Sequence, residues 1–136
     1  MKTVRGVVFL DDSYNANPDS MRAGIRTLAE MKTQGRKIAV LGRMGELGAL
    51  AMQGHRDVGA FAAHSGLDAV FTVGDEASQI TDAASAARPD MTLKNFADRT
   101  SCAAWLGSWL RAGDAVLLKG SRSAGMEQVL EHLESA

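Results

Sequence analysis

Cysteine is almost missing from this chain. Cys102 stands alone among 136 residues, which excludes an internal disulfide and a cysteine-built zinc cluster and suits a reducing, cytoplasmic setting. Charge of one sign is missing too. Fifteen Lys and Arg against sixteen Asp and Glu leave a formal net charge of −1, so electrostatics make no case for nucleic acid or an anionic membrane as partner. No apolar run approaches the roughly 18–20 residues of a membrane span, and the first residues show no signal-peptide pattern. His55, His64 and His132 share no metal-ligand spacing, and no side-chain metal site is expected. Neither G-x-G-x-x-G after the first strand nor G-x-x-x-x-G-K-[ST] anywhere is found, and the first absence counts against a dinucleotide-dependent oxidoreductase.

What is present is alternation. Hydrophobic residues make up 46 % and charged residues 23 %, ordinary for one globular domain that buries about two-thirds of its unfolded surface. Short apolar runs at 5–10, 37–41, 69–73, 91–96 and 115–119 read as strands buried on both faces. Helical patterns of 12 to 20 residues separate them. The first carries Met21, Ile25, Leu28 and Met31 on one stripe, with Asn17 as N-cap, Pro18 at the first position and Gly35 just past the end. The second spans about 47–65, and the third, about 75–87, is alanine-rich with Ile80 as its one large anchor. The fourth, about 98–112, holds Trp105 and Trp109 one turn apart, a pair expected to pack rather than to stack on a ligand. The last spans about 123–134. Such alternation predicts a single Rossmann-like α/β domain: a mostly parallel sheet of five to six strands with helices on both faces.

In such a sheet the residues after each strand gather at one edge, where ligands bind. Asp11-Asp12-Ser13-Tyr14-Asn15-Ala16-Asn17 follows the first strand and carries more hydrogen-bonding groups than a turn requires. Asp12 is the carboxylate best placed to accept two bonds from a vicinal diol such as a ribose, while Asn15 and Asn17 can both donate and accept. After the second strand, Gly42, Gly45 and Gly48 flank Glu46, letting backbone N–H groups face an anion. Asp75 follows the third strand. Lys119-Gly120-Ser121-Arg122 ends the fifth with two cations and a hydroxyl, suited to a carboxylate.

Read together, DDSYNANPDSM at 11–21, LGRMGELG at 41–48, HRDVG at 55–59 and AGDAVLLKGSRSAGMEQVL at 112–130 closely resemble the C-terminal domain of MurF-type Mur ligases. The likeness covers nearly the whole chain. It implies an ATP- and Mg²⁺-dependent, amide-forming ligase of peptidoglycan synthesis, in which the UDP-MurNAc-tripeptide carboxylate is phosphorylated and the amine of D-Ala-D-Ala attacks the acyl phosphate. It implies nucleotide contacts at Asp12, Tyr14, Asn15 and Asn17. It further implies contacts to the amino substrate at Lys119, Ser121, Arg122 and Glu127, and a glycine-rich loop at Gly42, Gly45, Glu46 and Gly48. Where the family pattern has an acid, this chain has Arg43. Residues 1–136 are expected to form that one domain, excised from central ATPase and N-terminal UDP-sugar domains that would hold the phosphates and Mg²⁺. Alone, they are expected to be inactive.

Three other readings stand beside this one. A different amino-acid ligase of the same family would look similar. A non-catalytic nucleotide- or protein-binding module would keep the fold without the ligase. A phosphorelay receiver would use Asp11 and Asp12 as its acid pair, Asp75 as phosphoryl acceptor and Lys119 as its lysine, but Asp75 lies beyond Gly74 and glycine follows Lys119.

Overall fold

The computed structural model describes residues 1–135. Strands β1 (Lys2–Val4), β2 (Val7–Asp12), β3 (Lys37–Leu41), β4 (Ala69–Val73), β5 (Thr92–Phe96) and β6 (Ala115–Lys119) form one sheet in the order β1-β2-β6-β3-β4-β5. All neighbours run parallel except β1 and β2, which form a hairpin. Its turn is Arg5-Gly6, with φ of 53° and 79°, the positive pair that a tight two-residue hairpin requires. Residues 5 and 6, expected to begin the first strand, are therefore this turn, and residues 2–4 supply an antiparallel edge strand.

Helices α1 (Pro18–Glu30), α2 (Ala51–Ala63) and α3 (Ser78–Ala87) cover one face, while α4 (Arg99–Trp109) and α5 (Glu127–Ser135) cover the other. Alternation along the strands feeds both cores. On β6, Ala115 and Leu117 point to the α1 side, and Val116 and Leu118 to the α4 side. Trp105 and Trp109 stack on each other at 5.2 Å and meet Phe71 edge-on at 5.1 and 5.2 Å, so they pack against the sheet. Cys102 is buried there, and burial pushes its thiol up to about 12, which leaves almost no thiolate at neutral pH.

The caps divide into one expected and one not. Asn17 accepts from Ser20 N at 2.9 Å and Ser20 Oγ accepts from Asn17 N at 3.0 Å, a reciprocal capping box. Gly35 does not close α1, which ends at Glu30 with Met31 as an extended cap. A Cβ on Gly35 would lie 2.6 Å from the Gly113 carbonyl carbon, so this glycine serves a close approach between two chain segments. The second and last helices are shorter than their patterns, each preceded by a 3-10 turn, at Gly48–Leu50 and Arg122–Ala124.

Strand order separates the fold from two look-alikes. Counting only the parallel strands in chain order, the sheet reads 1-5-2-3-4. Receiver domains read 2-1-3-4-5 and the dinucleotide fold 3-2-1-4-5-6. Here the last strand lies between the first two, which brings the segments after β2, β6 and β3 side by side.

Candidate functional site

Those three segments enclose a cleft of about 590 Å³. Tyr14 and Asn15 come from the loop after β2, Arg43, Gly45 and Glu46 from the loop after β3, and Ser121, Arg122 and Ser123 from the loop after β6. Arg122 sits over the Tyr14 ring at 5.3 Å, a cation–π contact across the mouth. Ser121 and Ser123 share a hydroxyl bond of 3.0 Å. Arg43 donates from Nε to Glu76 at 3.0 Å and from Nη1 to Ser123 Oγ at 2.7 Å, joining the loops after β3, β4 and β6.

The loop after β3 is pinned from below. His55 is buried on α2; its Nε2 accepts from Met44 N at 2.9 Å, and its Nδ1 lies 2.6 Å from Ala51 O. Accepting at Nε2 requires the proton on Nδ1, which then donates to the Ala51 carbonyl. Leu47 anchors the other end: a Cβ on Gly54 would lie 2.8 Å from its Cδ1. Between the two anchors Glu46 takes φ of 59°, a left-handed conformation unusual for a side-chain-bearing residue. His55→Ala is expected to orphan the Met44 N–H and cost about 2–3 kcal/mol. Thermal unfolding and hydrogen exchange of the Met44 amide check it, with the amide losing its protection.

The sequence-predicted residues fall into two groups. Tyr14, Asn15, Gly45, Glu46, Ser121 and Arg122 line the cleft. Asp12 lies beside it at the end of β2, its side chain 55 % exposed. Asn17 caps α1, and Gly48 opens the 3-10 turn at φ of 56°. Glu127, at the start of α5, is not among the lining residues. Neither is Lys119, whose side chain is 2 % exposed and bonds inward to Asp12 Oδ2 at 2.5 Å and Asn15 O at 3.1 Å. The N–H of Gly42 is not open to an anion: it donates to Lys119 O at 2.8 Å. That glycine instead makes room for Met126, whose Sδ would be 2.8 Å from an added Cβ. Arg43 and Ser123 line the cleft without having been singled out for it. Their signal was place alone, two residues after β3 and four after β6.

Among the described residues no three His, Cys, Asp or Glu side chains cluster to hold a metal. No helix among them is long and apolar enough to cross a membrane. Asp75 is exposed in the turn after β4, while Lys119 is committed to Asp12 across the β2–β6 pair.

The family model for the Mur ligase, glutamate ligase domain matches residues 1–122. The chain belongs to that family. Within the Mur ligase family it is 38 % identical to the UDP-N-acetylmuramoyl-tripeptide–D-alanyl-D-alanine ligase of Mycobacterium tuberculosis (strain CDC 1551 / Oshkosh), over 94 % of this chain and 29 % of the relative. To the enzyme of the same name from Escherichia coli K12 it is 39 % identical, over 93 % of this chain and 27 % of the relative. A crystal structure of MurF from Acinetobacter baumannii superposes with a TM-score of 0.86 at 32 % identity, over 99 % of this chain and 30 % of that one. MurF from Thermotoga maritima, solved in complex with ADP, gives 0.80 at 30 % identity, over 98 % and 29 %. The chain thus spans less than a third of these Mur ligases, and its α/β fold is that of their matching part.

Proposed function

We propose that this chain is the nucleotide- and substrate-contacting C-terminal part of an ATP-dependent, cytoplasmic ligase that joins D-Ala-D-Ala to UDP-MurNAc-tripeptide in peptidoglycan synthesis. The observation that carries the reading is the furnishing of the cleft in a chain of this family: guanidinium groups of Arg43 and Arg122 and the carboxylate of Glu46 line one concavity. A dipeptide is a zwitterion at neutral pH and needs both signs of charge. Arg43 is already bonded to Glu76 and Ser123, which leaves Arg122 to grip the dipeptide carboxylate. Glu46, rather than Glu127, is the acid positioned for the ammonium. Holding that amine in one orientation is what an acyl-transfer step requires of this part of the enzyme.

Asp12 is the nucleotide contact in this reading, its half-open carboxylate accepting from ribose hydroxyls, with Tyr14, Asn15 and Asn17 along the same loop. The triphosphate and Mg²⁺ do not fit the residues here. The chain lacks a phosphate loop, Gly42 and Met44 donate their N–H groups within the protein, and no carboxylate cluster is formed among the described residues. Those tasks fall to the remainder of the ligase.

Steady-state kinetics of the ligase carrying this chain test the division. Arg122→Ala should raise the KM for D-Ala-D-Ala roughly 10- to 100-fold and leave that for ATP unchanged, the loss of a charge-assisted contact. Asp12→Ala should do the reverse. An Arg122→Ala enzyme whose ATP KM alone rises would overturn the assignment of the cleft to the dipeptide.

A further inference from the structure

The geometry points to Lys119 as a positioning residue for the 12–15 loop, not a substrate ligand; the functional half of this inference rests on the nucleotide reading of Asp12 given above. Lys119 and Asp12 are direct partners across the β2–β6 pair. Lys119 follows Leu117 on the α1 face of β6, so its stem runs under α1 instead of into the cleft. Gly24 of α1 makes the space: a Cβ there would lie 3.2 Å from Lys119 Cδ and 3.3 Å from Leu117 Cδ2. A mid-helix glycine is otherwise a poor choice, since alanine suits a helix better.

A lysine whose side chain is 2 % exposed has given up the hydration of its ammonium, a cost that a neutral side chain of the same length would not carry. Two of its three donors are aimed at the loop, one at the Asp12 carboxylate and one at the Asn15 carbonyl. These contacts span 107 and 104 residues of chain. They hold one carboxylate oxygen of Asp12 while the side chain stays 55 % exposed, which orients it for a ligand instead of burying it. They also fix the backbone on which Tyr14 and Asn15 reach the cleft. A loop ordered in advance binds without first losing its own freedom.

Lys119→Met separates positioning from a structural role. Methionine fills the same channel without the charge, and the groups it leaves behind, Asp12 and Asn15, are both exposed and can turn to water. The melting temperature of the variant chain should therefore hold or rise, whereas backbone amides of residues 12–16 should exchange faster and show increased motion by ¹⁵N relaxation. In the ligase, the KM for ATP should rise about tenfold, the cost of ordering a few side chains on binding, and that for D-Ala-D-Ala by a smaller factor, because Tyr14 and Asn15 also line the cleft. Unchanged loop amides in Lys119→Met would overturn the inference. So would a rise confined to the dipeptide KM, which would make Lys119 a substrate ligand. Asp12→Asn is the control for the underlying reading. If it leaves the ATP KM unmoved, the nucleotide assignment falls, and with it the kinetic half of the inference, while the amide measurements still decide whether Lys119 orders the loop.

Discussion

Gly59→Ala is expected to lower the stability of this domain by about 3 kcal/mol, roughly 10 °C in melting temperature, although it adds a single methyl group. Gly59 sits where α2 crosses α3. A Cβ built on it lies 2.1 Å from Ile80 O, 2.9 Å from Ile80 C and 3.0 Å from Ala83 Cβ. The first two contacts are with backbone, which cannot rotate out of the way as a side-chain tip can. The helices would have to part by about an ångström, and close-packed interiors lose attraction steeply over such gaps. Ala62, Ala63 and Ala84, all buried without exposure around this crossing, would lose contacts together. Gly107→Ala is the control: in α4 an added Cβ meets only Leu133 Cδ2, at an ordinary 3.6 Å. There the better helix propensity should give a gain of up to about 1 kcal/mol. Thermal and urea unfolding of the two variants should move in opposite directions, and a Gly59→Ala domain as stable as its parent would refute the close-contact argument.

This crossing shows which parts of the fold could be read in advance. The third helix is alanine-rich, with Ile80 as its one large anchor. Its small side chains are the reason α2 and α3 approach so closely, and that is a pairwise fact no single-helix pattern contains. The motif HRDVG has the same character. Its physical content lies at its two ends, His55 under the cleft loop and Gly59 against α3, and both are tertiary. Strands and the order of elements were legible because apolar runs and helical stripes are local signals. The hairpin at residues 2–12 was not, since Arg-Gly is an uncommon turn pair whose positive φ at Arg5 only the folded strands reveal. Of the site, the crowding of polar groups after β2 and β6 was plain in sequence. That Lys119 points under α1 while Arg122 points into the cleft depends on face alternation at the very end of β6, and on a glycine more than ninety residues away in α1.

At the opposite end of the sheet from the cleft, Asp114→Asn should cost about 2–3 kcal/mol at neutral pH, less than breaking a fully buried pair because Arg36 keeps partial solvent access. Asp114 is 2 % exposed. Its carboxylate accepts from Arg36 Nη2 at 2.7 Å, Arg36 Nε at 3.2 Å, Arg36 N at 2.9 Å and Arg111 N at 2.9 Å. Arg36 in turn donates to Trp109 O at 2.8 Å and lies 3.7 Å over the Trp109 ring, so one carboxylate ties together the starts of β3 and β6 and the end of α4. Burial by itself would raise the Asp114 pKa; the hydrogen bonds from the Arg36 side chain and from the Arg111 and Arg36 backbone, with the Arg36 charge, outweigh it and hold the group below its ordinary 3.8. A carboxyl depressed on folding contributes stability that is fully present above its unfolded value and is lost as the pH falls through its folded value. The parent domain should therefore shed this increment below about pH 4, whereas Asp114→Asn, with no charge to lose, should not. Urea unfolding of both at neutral and acid pH measures it. The gap between them should be widest at neutrality and narrow on acidification, and a gap that stays constant down to pH 3 would mean that the neutral hydrogen bonds, not the charge, hold this corner together.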